Sequence, residues 1–232
     1  MNSLQNIIPN KKKALFLAKR ELVVLVYDAV NLEGIHYTLP EIQTLLDGVT
    51  VGGHKLSDEK IALNQARAWK FLFHALETDQ FSLSQIFACE LHAVAAEDEA
   101  LEWGHFRSGG VSIAGSEYLP PAADKLNEHW QVMLEQAEHI ENIIERSIFI
   151  FLQMARHQFF YDVNKRMGRF MMNGLLLENG YPVINVPAKR QLEFNQLMLA
   201  FYTSGDVLPM TDFVKSCLSP VTIDLMCEAS FQ

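Results

Sequence analysis

A chain of 232 residues suits one large domain, or a domain with a small helical extension, and buries about 70% of its unfolded surface without needing disulfides or metals to fold. Its composition, 49% hydrophobic and 20% charged, is ordinary for a soluble protein, and its net charge of −9 disfavours non-specific binding to nucleic acid or anionic membranes. Cys89, Cys217 and Cys227 lack CxxC spacing and cannot all pair with one another, which fits reduced thiols and a cytoplasmic location.

Lys11, Lys12 and Lys13, with Lys19 and Arg20, interrupt any signal-peptide core. The apolar runs Leu22–Val26 and Ile148–Leu152 fall far short of the ~20 residues that span a bilayer, so no membrane insertion is expected. Residues from about Lys12 to Leu32 read as one amphipathic helix, stopped by Glu33-Gly34. Thr38-Leu39-Pro40-Glu41 is a capping box that opens a short helix to about Asp47, and Val49–His54 reads as a turn. Ser57 is expected to cap a helix to about Glu77. Ser82-Leu83-Ser84-Gln85 reads as a second capping box, with Phe81 and Ile86 as its hydrophobic staple and the helix ending near Glu97.

Glycines and prolines then break the pattern. Phe106, Val111 and Ile113 lie among Gly109, Gly110 and Gly115, with Pro120-Pro121 beyond, which predicts a short extended flap over Gly104–Tyr118. Helices are expected again at about Pro121–Gln136, Ile140–His157, Val163–Asn179, Pro187–Ser204 and Thr211–Leu218, with Gly180 and Pro182 marking one stop. The fold class is therefore all-α, with a short β-hairpin flap and little other strand.

The densest polar stretch, His157 to Arg169, lies between two strongly apolar helices, as a loop feeding a helix N-terminus. Exposed N–H groups at such a terminus attract anions, and Asp162 is suited to be the N-cap. Arg166 and Arg169 share a helix face. Two cations near the positive end of a helix are unfavourable unless an anion joins them, which favours a phosphate site. The competing reading is a capped helix with a solvated cationic face; local physics weighs the two about evenly.

This stretch resembles the signature of the Fic family, HxFx(D/E)GNGRxxR. Without gaps, Phe160 falls on its phenylalanine, Asp162 on its acid, Asn164 on its asparagine, and Arg166 and Arg169 on its two arginines. Met172-Asn173-Gly174-Leu175 and Gly180-Tyr181-Pro182 extend the likeness downstream. Upstream, Gly104-His105-Phe106-Arg107 through Val111-Ser112-Ile113 is similar to the family's flap. The resemblance implies a Fic-like helical bundle that binds ATP and Mg²⁺ and transfers AMP to protein hydroxyls. It implies Asp162 for the metal, and Asn164, Lys165, Arg166, Arg169 and Asn173 for nucleotide and phosphate. Arg166 would also offset charge during transfer, and Val111, Ser112 and Ile113 would form the edge on which a target protein docks. It divides the chain into an N-terminal helical segment (1–80), a core (81–220) and a C-terminal tail (221–232). Whether copies of the chain assemble is left open.

Three positions depart from the signature. Gln158 takes the place of the histidine that acts as general base, with His157 one residue earlier; a glutamine amide cannot take a proton at neutral pH. One step along a helix turns a side chain by about 100°, so the two are not interchangeable; the ungapped register, the favoured one, places Gln158 at the site, and a one-residue insertion would place His157 there as the base. Val163 replaces the first glycine, and a β-branched residue is expected to resist positive φ. Lys165 replaces the second, as in relatives resembling Doc toxins, which phosphorylate instead of AMPylating.

Upstream, Asn31-Leu32-Glu33-Gly34 is similar to the end of the family's inhibitory helix, which implies that Glu33 pairs with Arg169 and denies it to the nucleotide. The alternatives are a catalytically silent nucleotide-binding regulator, a phosphotransferase, and a protein that removes AMP. No GxSxG, HExxH, P-loop or GxGxxG is present, and His92, near Cys89 and Glu90, reads as a packing residue.

Overall fold

At the centre of the molecule one helix approaches another at a glycine. Gly168 of α8 (Asn164–Glu178) lies so close to α7 (Ile143–His157) that an added Cβ would sit 2.6 Å from the Phe151 carbonyl oxygen. The absence of a side chain there lets the two helices make the most extensive contact of any pair in the fold. Both are apolar around much of their circumference: Ile148, Phe151, Met154 and Ala155 of α7 and Met167, Phe170, Met171 and Leu177 of α8 are buried. A fully buried side chain of the larger kinds contributes about 1.5–3 kcal/mol.

The computed structural model describes residues 6–228, so the first five and last four residues of the outer segments lie outside it. Eleven α-helices and two short 3₁₀ turns make up its regular structure. Around the central pair lie α1 (Lys11–Arg20), α2 (Leu22–Leu32), α3 (Leu39–Leu46), α4 (Leu56–Glu77), α5 (Gln85–Ala95) and α6 (Leu126–Glu138). Then follow α9 (Gln191–Ser204), α10 (Leu208–Lys215) and, within the segment expected as a tail, α11 (Pro220–Cys227). Helix α8 packs against α1, α4 and α5 as well as α7. None of the helices is long and apolar enough to cross a membrane, and the three cysteines are unpaired.

Local signals set several boundaries. Thr38 and Glu41 form the reciprocal capping box at the start of α3, and the Asn142 side chain accepts from the Ile144 and Glu145 N–H groups at the start of α7. Other expectations are corrected. The first helix is two, because the chain turns at Glu21 (φ −91°, ψ 4°). Ser57 lies inside α4, which starts without a side-chain cap. Ser84, not Ser82, caps α5 by accepting from Phe87 N–H at 3.1 Å, and Ile86 is 73% exposed and staples nothing. Of the two serines offered, the one whose register buries Phe87, Ala88 and Leu91 is used.

The β-hairpin flap does not form. Among the described residues there is no strand, and Gly104–Tyr118 is a chain of turns and irregular backbone. Its internal order comes from buried Arg107. That guanidinium donates to the carbonyls of Gln158, Gly109 and Pro121, while the Arg107 N–H donates to Phe159 O at 3.0 Å. A cation that satisfies carbonyls from inside the loop removes the need for a ladder to do so.

Candidate active site

The turn between α7 and α8 spans residues 158–163 and is held in two left-handed conformations. Gln158 has φ 51° and Val163 has φ 64°. The expectation that valine would refuse positive φ is therefore wrong. Such a conformation costs about 1–3 kcal/mol at a non-glycine residue and persists only where the surroundings over-determine it. Here the Val163 side chain is buried, and its N–H is held by Asp162 Oδ1 at 2.6 Å. Asp162 is consequently not the helix N-cap; that position falls to Val163, which has no capping side chain.

Asn164 closes the turn from within. Its Oδ1 accepts from Phe160 N–H at 2.9 Å, and its Nδ2 donates to Phe160 O at 2.8 Å and to Gln158 Oε1 at 3.1 Å. The side-chain amide assigned above to phosphate is thus committed to the loop. Asn173 is corrected in the same way. Its Oδ1 accepts from Ile184 N–H at 2.8 Å and its Nδ2 donates to Ile184 O at 3.2 Å, so it holds the 181–186 segment against α8.

Over the start of α8 opens a cleft of about 550 Å³. Glu33, Ser112, Ile113, Gln158, Tyr161, Asp162, Lys165, Arg166 and Tyr202 are among the residues that line it. The structure therefore brings the flap residues Ser112 and Ile113 to the cleft, whereas Val111 does not line it. His157 is also not among the lining residues. Its ring lies 4.9 Å from that of His129 and 5.5 Å from that of Phe159. Burial, with the nearby His129 and Arg156, lowers its pKa to about 4. Gln158 faces the cleft in its place, donating to Ala155 O and accepting from Asn164.

The three cations meet different fates. Arg166 is 5% exposed and is gripped end-on by Glu99, with Nη1 donating to Oε2 at 3.0 Å and Nη2 to Oε1. Lys165 Nζ lies 3.2 Å from Glu33 Oε2. Arg169 Nη2 approaches Glu33 Oε1 to 3.6 Å, which is an ion pair but too long for a hydrogen bond. Both Arg169 Nη atoms and Glu33 Oε1 are buried with no hydrogen-bond partner. Burial opposes ionisation of Glu33, but Lys165, Arg166 and Arg169 hold its carboxyl below the usual value. Burial likewise lowers the Arg169 pKa against the attraction of Glu33. Arg169 lines only a small adjoining cavity of about 20 Å³, so its unfilled donors lie behind the Glu33 carboxylate at the cleft, an arrangement that an acceptor-rich anion in place of Glu33 would complete.

Glu33 is held in place from behind. Asp28 of α2 accepts from Ala188 N–H at 2.7 Å and from Asn185 Nδ2, and Gln191 Nε2 donates to Asn31 O and Leu32 O. Among the described residues no cluster of three or more His, Cys, Asp and Glu side chains could hold a metal unaided. Asp162 nevertheless presents an exposed carboxylate at the cleft. One carboxylate with phosphate oxygens and water is a usual donor set for Mg²⁺, so this side chain fits the ion. Glu99 went unnoticed in the sequence; it lies in the acidic run Glu97-Asp98-Glu99, in which nothing local singles it out.

A model of the Fic/DOC family matches residues 81–176. The protein adenylyltransferase Fic of Drosophila mojavensis is 27% identical over 228 residues, covering 94% of this chain and 44% of the relative. That of Drosophila grimshawi is 28% identical over 222 residues, covering 91% of this chain and 44% of the relative. The chain thus spans less than half the length of these curated relatives.

Two solved structures share the fold. Fic-1 (residues 134–508) of Caenorhabditis elegans matches with a TM-score of 0.76 at 17% identity, over 97% of this chain and 64% of that one. A Fic-domain-containing signaling protein of Bacteroides thetaiotaomicron matches with a TM-score of 0.75 at 20% identity, over 100% of this chain and 96% of that one. The signature stretch in the turn before α8 lies inside residues 81–176, and over those residues this chain matches the Fic/DOC family.

Proposed function

We propose that the cleft binds Mg-ATP and that the chain transfers AMP from it to a hydroxyl of a protein target, slowly and under restraint by Glu33. The observation that carries this reading is Glu33, which lines the cleft and stands in front of the buried Arg169 guanidinium, whose two terminal nitrogens lack a hydrogen bond. In this reading residues 81–220 are the core, residues 1–80 bring the inhibitory carboxylate, and residues 221–232 are a tail. Phosphate oxygens take the place of Glu33 beside Arg169 and Lys165, and the N–H groups at the start of α8 supplement them. Bound Mg²⁺ would offset phosphate charge from Asp162. The flap residues Ser112 and Ile113 flank the same opening, where a target segment would lie.

General-base help is worth about 10²–10⁴-fold, and Gln158 cannot supply it. This favours a second reading, a nucleotide-binding regulator in which transfer is silent. Incubation with Mg²⁺, cell lysate and either α- or γ-labelled ATP separates the two. Label retained only from the α position supports AMP transfer; label only from γ supports phosphorylation; binding without labelling supports the regulator. Gln158→His in a Glu33→Gly background should raise transfer, and no gain there would mean that the missing base is not what limits it.

A further inference from the structure

The loop that follows α5 grips the junction between the 158–163 turn and α8. At its near end Glu99 reaches across 67 positions of sequence to Arg166, and both side chains are largely buried, 12% and 5% exposed. At its far end the Gly104 N–H donates to His92 Nδ1 at 3.1 Å. Because Nδ1 accepts, the ring proton sits on Nε2, which lies 3.4 Å from Asp162 O. His92 is further fixed by stacking on Phe160 at 3.9 Å between ring centres. Residues 99–104 therefore hold the peptide of Asp162 through His92 and the guanidinium of Arg166 directly.

The charges sharpen the picture. Three cations, Lys165, Arg166 and Arg169, face three carboxylates, Glu33, Glu99 and Asp162. Glu99 cancels Arg166 through two N–H groups. Arg166 has five N–H donors, so three remain. Desolvation disfavours the buried Arg166 cation, but hydrogen bonding to Glu99 holds its pKa above the usual value.

We infer that Glu99 is a positioning residue for Arg166. It fixes the guanidinium in one orientation and neutralises it. An incoming polyphosphate then meets free charge only at Arg169 and Lys165, while Arg166 presents its remaining N–H groups from a set place. The inference rests on the nucleotide reading for its ligand, but not for the clamp itself.

The test uses the full chain in a Glu33→Gly background, with Glu99→Gln and Glu99→Asp. The Arg166 guanidinium ¹⁵N resonances are followed by NMR, assigned through Arg166→Lys, and binding of inorganic tripolyphosphate and Mg-ATP is measured by calorimetry. The parent should show slowly rotating Arg166 Nη groups. Glu99→Asp should retain them, and Glu99→Gln should lose them. Glu99→Gln should also bind tripolyphosphate about tenfold more tightly, since an unpaired cation is now available for a charge-assisted hydrogen bond. Glu99→Asp, which keeps the charge on a shorter arm, should stay near the parent. Freely rotating Arg166 Nη groups in the parent would overturn the inference. So would unchanged rotation and affinity in Glu99→Gln, since a pair that only supports the fold would move the melting temperature alone. A parent that binds neither ligand would overturn the nucleotide reading, and the resonances would still judge the clamp.

Discussion

The two signature arginines lie one helical turn apart and are treated in opposite ways. Arg166 is held by Glu99 through paired hydrogen bonds, whereas Arg169 faces Glu33 across 3.6 Å with its terminal nitrogens unsatisfied. The difference teaches that two buried ion pairs beside one cleft, each with one member lining it, need not do the same work. A buried pair with good geometry resists the loss of either partner, because an uncompensated charge is left behind. A pair without hydrogen bonds, at the edge of an opening, is readily displaced by a better acceptor.

Double-mutant cycles give the largest contrast. Removing Glu99 alone should cost about 3–5 kcal/mol of stability, as for other broken buried pairs. Replacing Glu33 alone should cost less, because its pair with Arg169 has no hydrogen bond to lose. Urea denaturation of Glu99→Ala, Arg166→Ala, Glu33→Ala, Arg169→Ala and the two doubles measures both couplings. Equal couplings would dissolve the distinction between the two ion pairs.

Ligand affinity should move the other way. Glu33→Gly should tighten Mg-ATP binding by about tenfold, and Arg169→Ala should weaken it by about 10–100-fold, the worth of a charge-assisted hydrogen bond. Calorimetric titration checks both, and unchanged affinity in Glu33→Gly would show that the carboxylate does not compete with nucleotide.

Acid distinguishes the two pairs again. Burial lowers the His92 pKa to about 4, with Arg166 and His105 nearby, and His157 is lowered similarly. Each histidine is protonated more readily unfolded than folded. Stability is therefore full above the ordinary value of 6.5 and lost progressively as pH falls towards about 4, roughly 2–3 kcal/mol for each histidine. Glu33 has a lowered carboxyl pKa, so its contact with Arg169 is fully present above its ordinary value of 4.5 and is lost only as pH falls through the folded value. Between pH 5 and 7, roughly, melting temperature should fall with acid while the gain in affinity from Glu33→Gly stays constant. His92→Gln should remove roughly half of the first dependence, leaving the His157 share, without creating the second.

Val163→Gly should have the smallest effect. Relief of the left-handed backbone, about 1 kcal/mol, opposes the loss of a buried side chain, and the net change in stability should stay within about 1–2 kcal/mol. A large loss would show that the Val163 side chain, not its backbone, shapes the turn.

Much of this fold was legible because its signals are local. The Thr38–Glu41 box, the glycine after Asn179 and the apolar faces of α7 and α8 each act within a few residues. Glu33 could be placed beside Arg169 only through resemblance, since no periodicity links residues so far apart. The flap was misread because its composition suits a strand, while what orders it is Arg107, whose carbonyl partners on Gln158 and Pro121 are distant in sequence. Val163 was misread because a torsional preference of a few kcal/mol yields when burial and the Asp162 carboxylate act together. Asn164 and Asn173 lie at motif positions, yet their amides are engaged by backbone and, for Asn164, by the Gln158 side chain, which a motif cannot reveal. Glu99 was invisible because tertiary packing alone selects it from its acidic neighbours.

The way α2 is fastened has a kinetic consequence. The Gln191 amide bridges the Asn31 and Leu32 carbonyls, and Asp28 is tied to Asn185 and Ala188, so the backbone beneath Glu33 is anchored to the 185–191 segment. The Glu33 carboxylate can then leave Arg169 by rotation about its own side-chain bonds. Such rotations take picoseconds to nanoseconds, against microseconds to milliseconds for movement of a helix or domain. Nucleotide association should accordingly be a single phase whose rate rises linearly with concentration. A rate that saturates would report that α2 itself has to come away from the 185–191 segment before the cleft can fill.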